Sequence, residues 1–393
     1  MFTLRLFVTL ALSAALLSAC VSSEESLPPS QILTASSFAD IPEWQIDSHQ
    51  EALIAFGKSC ARIAQKGPQK SLAEEASWGT YGDWQGICAK LVPETMVSPE
   101  AARYFFETNF TPYRVSDRQN EIGLFTGYYE PMIAASETQE GTYQTPIYAR
   151  PADLVMVNLG EFTPELKGKK IAGRVKEGYL KPYEDRAAIE DGKLPETTRK
   201  ILFWASDPVD VFFLQIQGSG VVMLPSGKTQ RIGYDGQNGY SYTAIGKELV
   251  ARGAMTKEEA SMQSIRAWLA THPQEGRDLM RLNKSYTFFR LLDTDGPVGA
   301  EGTVLTAGRS MAVDPLFIPY GVPIFLDAED PLGVDGAALR RLVVAQDTGG
   351  AIKGVVRGDM FWGHGNTAAH TAGLMKSKGR MWVLLPRRQA QKD

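Results

Sequence analysis

Cysteine and histidine are scarce in this chain of 393 residues, which contains three cysteines and four histidines. His364 and His370 are six residues apart, and no cysteine lies beside them at a spacing typical of metal ligands. The sequence therefore predicts no metal site and no bound cofactor. A Gly-x-Ser-x-Gly elbow and a Walker A loop are also missing, which argues against an α/β-hydrolase serine enzyme and a P-loop nucleotide-binding protein.

Positive charge is not in excess either, since 41 lysines and arginines face 45 acidic residues and the formal net charge is −4. A nucleic-acid-binding domain normally has a basic surplus, so no nucleic-acid partner is expected. The 37 glycines and 22 prolines are spread along the chain and indicate many turns and short strands rather than a helical bundle. The expected fold class is mainly β, of the α+β type, with two or three domains.

Residues 1–19 have the pattern of a signal peptide, with the single cation Arg5 and an apolar stretch that is too short for a flanked transmembrane helix. The stretch ends in Leu17-Ser18-Ala19-Cys20, which resembles the bacterial lipobox and implies lipidation of Cys20. Residues 20–35 are polar, contain prolines and are expected to be the anchor and tether. Because Val21 follows the cysteine instead of aspartate, the resemblance favours the outer membrane over the inner one.

Two cysteines remain after Cys20, and an even pair in an exported chain predicts a disulfide between Cys60 and Cys88. An alternative stays open, because Cys60 lies on a helical apolar stripe with Leu53, Phe56 and Ile63. A buried free thiol would also fit that position.

The local patterns predict a mixture of helices and strands along the chain. Helices are expected at 48–66, from Ser98 onward, at 241–252 and at 258–271, the last ending before Pro273; strands are expected at 124–131, 209–216 and 381–385, and a glycine-rich turn at 233–239.

The most informative segment is near the C-terminus, where the apolar run 343–345 leads into Asp347. A Gly-Gly pair follows, and Asp359 comes twelve residues after Asp347 with a glycine directly before it. Two carboxylates on glycine-rich turns at strand ends are suited to acid–base chemistry, although aspartate and glycine are common in ordinary turns too. Aromatic residues near these turns suit the faces of sugar rings.

Five motifs, taken together and in this order, resemble the membrane-bound lytic transglycosylase A family. They are Phe125-Thr126-Gly127-Tyr128-Tyr129-Glu130-Pro131, Gln215-Ile216-Gln217-Gly218-Ser219-Gly220, Gly233-Tyr234-Asp235-Gly236-Gln237-Asn238-Gly239, Asn283-Lys284-Ser285-Tyr286-Thr287 and Asp347-Thr348-Gly349-Gly350-Ala351. The resemblance extends from about residue 40 to the C-terminus.

The resemblance implies a double-psi β-barrel that is built from both ends of the chain, 36–131 and 283–393. A smaller β-barrel domain, 132–282, would be inserted between them, with a groove between the two domains for a glycan strand. The C-terminal part resembles the three-aspartate or 3D domain, whose acids fall on Asp314, Asp347 and Asp359.

The implied activity is non-hydrolytic cleavage of peptidoglycan at the outer membrane of a Gram-negative bacterium. Asp359 is expected to be the catalytic acid, and Asp347 to raise its pKa together with burial. The substrate contacts that the motifs imply are Thr126, Gly127, Tyr128, Gln217, Ser219, Asn238, Asp314 and Trp362. The implied partners are peptidoglycan strands, the outer-membrane lipid and complexes of cell-wall synthesis or hydrolysis.

Two alternatives come from other functional classes. An aspartic protease is one, because Asp347-Thr348-Gly349 resembles its signature, but the chain has no second Asp-Thr-Gly. A non-catalytic peptidoglycan-binding lipoprotein is the other, since a fold alone does not establish chemistry.

Overall fold

The structure is a computed structural model, and it describes residues 32–74, 76–93, 98–333 and 337–387. The predicted signal peptide 1–19, the predicted lipidation site Cys20 and most of the predicted tether lie outside the described residues. No helix within these ranges combines the length and the apolar character that crossing a membrane requires.

Strands dominate the fold. They are β1 (Leu33–Ala35), β2 (Phe110–Val115), β3 (Gly123–Glu130), β4 (Met132–Ser136), β5 (Thr145–Tyr148), β6 (Val155–Asn158), β7 (Lys170–Lys176), β8 (Tyr179–Pro182), β9 (Ile201–Ala205), β10 (Ser219–Met223), β11 (Thr229–Gln237), β12 (Thr287–Leu292), β13 (Ser310–Ala312), β14 (Pro323–Glu329), β15 (Ala338–Asp347), β16 (Arg357–His364) and β17 (Lys376–Pro386). The helices are α1 (His49–Ile63), α2 (Tyr81–Cys88), α3 (Pro99–Asn109), α4 (Arg186–Glu190), α5 (Pro208–Gln217), α6 (Ile245–Ala251), α7 (Met262–Thr271), α8 (Pro273–Leu282) and α9 (Gly365–Leu374).

The largest sheet closes into a ring. Its strand order is β1-β2-β17-β14-β15-β13-β16-β3, and β17 also pairs with β3. Six strands therefore form a barrel, with β2 and β1 added at one side, and the strands come from both ends of the described chain. This confirms the predicted mainly-β class and the predicted barrel. The interior is filled by fully buried apolar side chains such as Phe125, Phe325 and Val344.

The middle of the chain forms a six-stranded sheet of order β12-β11-β10-β4-β9-β5 and a three-stranded sheet of order β6-β7-β8. A bridge between Ala149 and Phe289 brings the two edges of the six-stranded sheet together. Sheet membership places β12 with the inserted strands, beyond the predicted boundary at residue 282, because β12 continues the antiparallel ladder of β11.

The N-terminal helices pack on the barrel and on one another. Phe56 of α1 lies against Trp84 of α2 and Phe106 of α3, with ring centroids 6.4 and 6.1 Å apart. Cys60 and Cys88 are joined in a disulfide with their Cα atoms 5.4 Å apart. The bridge ties α1 to the last residue of α2, so these two helices are joined covalently to each other.

The predicted strand at 209–216 is wrong, because this segment is the helix α5. Asp207 caps it by accepting a hydrogen bond from the Val209 amide, and Pro208 occupies its first turn. Gly218 ends it in the left-handed region, with φ 80°. The sequence was ambiguous because a short, nearly all-apolar run fits a buried helix as well as a buried strand.

The predicted turn at 233–239 is wrong for most of its length, because β11 continues through Gln237 with a bulge between Tyr234 and Gly236. At Gly233 a Cβ would lie 2.6 Å from a terminal methyl group of Leu292, which would have to move to make room for it. The helices at 241–252 and 258–271 are confirmed in shorter form as α6 and α7. The helix α8 was missed: Pro273 does not only end a helix but also begins the next one.

Candidate active site

The two predicted acids meet at one point of the barrel, although they come from different strands. Strand β13 lies between β15 and β16, and its residue Ala312 is the register partner of both Asp347 and Asp359. On the other side of β16, Asp359 is in register with Thr126 of β3. The barrel therefore gathers Thr126, Asp347 and Asp359 from three strands, although Thr126 lies 233 residues before Asp359.

Only one carboxylate oxygen of Asp359 accepts a hydrogen bond from the described residues. The Thr126 hydroxyl donates to its Oδ1 at 2.6 Å, and Thr126 in turn accepts from the Arg357 guanidinium at 2.9 Å. Arg357 and Asp359 are two residues apart on β16 and so share one face. The other carboxylate oxygen, Oδ2 of Asp359, makes no hydrogen bond with any residue that the structure describes.

Asp347, in contrast, has both oxygens occupied. Its Oδ1 accepts from the backbone amides of Ala300 at 2.8 Å and Thr348 at 2.9 Å. Its Oδ2 accepts from the Tyr128 hydroxyl at 2.8 Å. Because Tyr128 lies two residues after Thr126 on β3, one strand face presents a hydroxyl to each acid.

Burial raises the pKa of both carboxyls. It raises the pKa of Asp347 to about 6, and the charge of the nearby Asp359 also raises it. The three hydrogen bonds that Asp347 accepts act in the opposite direction, because they favour its ionised form. Burial also raises the pKa of Asp359, while the Thr126 hydrogen bond and the Arg357 charge oppose the rise. Of the two causes that were expected for the raised pKa of Asp359, burial is therefore the main one.

This arrangement has the features that proton transfer needs. A partly buried carboxyl with a raised pKa retains a proton closer to neutral pH than a free aspartate does. Asp359 has that environment and also has one oxygen without a partner among the described residues, and this oxygen can face a substrate. Both oxygens of Asp347 already accept hydrogen bonds, so this residue is suited to orienting the neighbouring groups and to acting on the site through its charge.

Gly127 and Trp362, two predicted substrate contacts, lie together on the other side of the strands. A Cβ on Gly127 would lie 2.7 Å from the indole nitrogen of Trp362, so this glycine allows the ring to pack closely. The indole N–H donates to Sδ of Met375 at 3.3 Å. The structure therefore does not bring these two residues to the acids.

Three further predicted contacts have fold-stabilising bonds. Asn238 is 1% exposed, and its side chain bonds to the backbone of Glu184, Lys284 and Tyr286. Gln217 accepts from the Tyr129 amide at 3.1 Å, which ties α5 to β3. Asp314 is 2% exposed and accepts from the Gly354 amide at 3.0 Å, which ties down the loop between the two acids.

Ser219 begins β10, where it is in register with Gly233 of β11. Its place in the inserted sheet separates it along the chain from the acids of the barrel. Its role as a substrate contact remains a prediction.

Sequence reasoning missed Arg357, the Ala300 amide and Tyr320. The signal for Arg357 was its position two residues before Asp359 in a strand. Ala300 belongs to a turn 47 residues before Asp347, so no local pattern connects the two. Burial and the nearby Asp347 charge raise the pKa of Tyr320 to about 12.

Within the described ranges, no group of three or more His, Cys, Asp or Glu side chains is arranged to hold a metal ion. The pair of acids is instead surrounded by hydroxyls, backbone amides and one guanidinium. The chemistry that these groups offer directly is proton transfer and charge stabilisation.

Two families match the chain over separate segments. Residues 124–290 match the MltA specific insert domain, and residues 309–385 match the 3D domain. The membrane-bound lytic murein transglycosylase A of Escherichia coli K12 is 36% identical over 267 residues, which cover 66% of this chain and 65% of that relative. The matched region thus spans slightly less than two thirds of that relative's length.

Solved structures match over nearly the whole chain. The membrane-bound lytic murein transglycosylase from Agrobacterium tumefaciens is 33% identical, with a TM-score of 0.80 and coverage of 91% of this chain and 98% of that one. Escherichia coli MltA with bound chitohexaose is 30% identical, with a TM-score of 0.67 and coverage of 91% and 96%. The chain therefore belongs to the membrane-bound lytic murein transglycosylase A family.

Proposed function

We propose that this protein is a peptidoglycan lytic transglycosylase in which Asp359 acts first as a general acid and then as a general base. Asp359 protonates the oxygen of the β-1,4 bond between N-acetylmuramic acid and N-acetylglucosamine as that bond breaks. The C6 hydroxyl of the muramic acid then attacks C1, and Asp359 recovers the proton from it. The product is a 1,6-anhydro sugar, and no water is consumed.

The observation that carries this assignment is the different occupation of the two acids. Asp359 keeps Oδ2 without a partner among the described residues, whereas both oxygens of Asp347 are occupied. An ordinary glycosidase uses two working carboxylates, but an intramolecular hydroxyl nucleophile requires only one. The bound chitohexaose in the Escherichia coli relative supports a sugar polymer as the ligand.

The product distinguishes this reaction from hydrolysis. Digests of purified sacculi, analysed by mass spectrometry, should contain 1,6-anhydro-muropeptides and no reducing muramic acid. Reducing muropeptides as the main product would assign the protein to the hydrolases. Binding to sacculi without release of fragments would favour the non-catalytic alternative, and family membership argues against the aspartic protease.

We also propose that the protein is anchored through lipidated Cys20 to the periplasmic face of the outer membrane. The support is the lipobox-like sequence and the membrane-bound relatives. Cys20→Ala should release an active soluble protein, because the barrel and its acids are formed by residues far from the anchor. A variant that stays with the membrane after a carbonate wash would contradict the anchor.

A further inference from the structure

A cavity of about 740 Å³ lies in the inserted part of the protein, at a place separate from the two acids. Its walls come from β5, α4, α5, α7 and α8, and most of its lining is apolar, including Phe212, Leu269 and Met280. This volume is in the range of cavities that hold small-molecule ligands.

One buried polar atom on the wall has no partner. Gln215 is 7% exposed, and its Oε1 accepts no hydrogen bond from any residue that the structure describes. A buried acceptor without a donor is costly to a fold, so it is a sign that a donor arrives from outside. A ligand with an N–H group would supply that donor.

One arginine of the cavity lining, Arg277, has only a distant acidic partner. The side chain of Arg277 is 55% exposed, and its acidic partner Asp191 lies 3.7 Å away. That same acid is held more closely by Arg281, at 2.6 Å. The guanidinium of Arg277 is therefore available to a carboxylate on the ligand.

The other charged groups of the lining already have partners. Glu190 pairs with Arg186 at 3.4 Å and with Arg281 at 3.0 Å. Arg266 pairs with Asp210 at 2.7 Å. Asp207 caps α5, where the helix N-terminus favours its negative charge.

The cavity is linked to the strand that carries the active-site hydroxyls. Burial raises the pKa of Tyr129, the residue after Tyr128 on β3, and the charge of Arg266 from the cavity lining opposes that rise. The helix that carries Gln215 is also tied to β3, through Gln217 and the Tyr129 amide. The cavity is thus connected to β3 through Tyr129.

We propose that this cavity binds the peptide stem of the peptidoglycan substrate, with Gln215 accepting from a peptide N–H and Arg277 pairing with a stem carboxylate. A stem peptide has three features that match the cavity: amide donors for Gln215, carboxylates for Arg277 and aliphatic side chains for the apolar lining. The inference rests on the proposed function, because it assigns a second part of the same substrate to the inserted domain.

The test compares two substrates: sacculi with their peptides, and glycan strands from which an amidase has removed them. The measured quantity is the ratio of kcat/KM for the first substrate to that for the second. Gln215→Met, which removes a neutral hydrogen bond, should lower the ratio by about fivefold, and Arg277→Glu, which removes a charge-assisted one, by about tenfold. Arg252→Glu is the matched control, because Arg252 forms a surface pair with Glu248 and does not line the cavity.

A direct binding measurement separates this inference from the proposed function. The free tripeptide alanyl-γ-glutamyl-diaminopimelate should bind the wild-type protein in a calorimeter, and Arg277→Glu should weaken binding by about tenfold. Gln215→Met should bind the tripeptide more weakly without a lower melting temperature, since it removes an unpaired acceptor. An unchanged ratio in both variants, or a tripeptide that fails to bind, would overturn the inference even if the glycan is cleaved. If the glycan is not cleaved at all, the proposed function fails and the tripeptide titration still decides the cavity.

Discussion

The Thr126 hydroxyl lies 2.6 Å from Oδ1 of Asp359, in the strand register that β3 and β16 share. This contact orients the carboxyl and also favours its ionised form, in opposition to the effect of burial. The protonation of Asp359 is therefore a balance between burial on one side and Thr126 and Arg357 on the other.

Thr126→Val should shift this balance towards the protonated acid. The loss of the hydrogen bond raises the pKa of Asp359 further, so the pH above which activity declines should move upward. The turnover should fall by about tenfold because the carboxyl is no longer oriented. The measurement is the pH profile of kcat/KM on sacculi, with Thr126→Ser as the variant that restores the hydroxyl. An unchanged profile in Thr126→Val would show that the contact has no part in tuning the acid.

The Cys60–Cys88 bridge should be a substantial part of the stability of the N-terminal helices. It closes a loop of 28 residues, and a bridge of this span typically contributes about 2–4 kcal/mol to the free energy of unfolding. In denaturant titrations, the double variant Cys60→Ser/Cys88→Ser should have a free energy of unfolding that is lower by about that amount. A reductant should lower the stability of the wild type but not that of the double variant. Two thiols that titrate in the folded, oxidised protein would contradict the bridge.

Glu301 should make stability depend on pH near neutrality. Its Oε2 accepts from the Ser59 hydroxyl at 2.7 Å, and burial raises its pKa from 4.5 to about 7. Because the folded pKa is above the unfolded value, the stability that Glu301 contributes is complete below pH 4.5 and is lost as the pH rises through 7.

Glu301→Gln should remove this loss while keeping the size of the side chain. Between pH 5 and 8 the free energy of unfolding of the variant should decline less than that of the wild type, by roughly 1–3 kcal/mol. The measurement is chemical denaturation at several pH values. Glu248→Gln, at a surface carboxylate paired with Arg252, is the control. Parallel curves for Glu301→Gln and the wild type would refute the assignment.

The sequence was informative about a residue where the prediction depends on the local pattern around that residue. The apolar run before Asp347 and the glycine before Asp359 pointed to both acids, whereas the barrel and the contacts Thr126 and Tyr128 were implied by the family resemblance. The same reasoning failed for α5, because a short apolar segment has no periodicity that separates a buried helix from a strand.

Relations between distant segments could not be predicted in this way. The pairing of β13 with both β15 and β16 brings Asp347 and Asp359 together, and the turn at Ala300 supplies an amide to Asp347. These contacts are fixed by closure of the barrel, which no window of local sequence encodes. Trp362 is the opposite case, because it lies three residues after Asp359 on β16 and strand alternation alone places it on the other face.

Substitution of the two acids separates their roles most directly. Asp359→Asn should lower turnover by about 10⁴-fold, which is the upper end of the range for loss of a general acid, because this one residue serves both proton transfers. Glycan binding should remain, because the amide has the same shape as the carboxyl group. Asp347→Asn should cost less and should move the pH optimum down, because removing one charge of a coupled pair lowers the pKa of the other. Turnover on purified sacculi across pH, with melting curves to check folding, measures both effects. An inactive Asp347→Asn beside a nearly normal Asp359→Asn would mean that Asp347 is the catalytic acid, and that the free oxygen of Asp359 is not what identifies the proton donor.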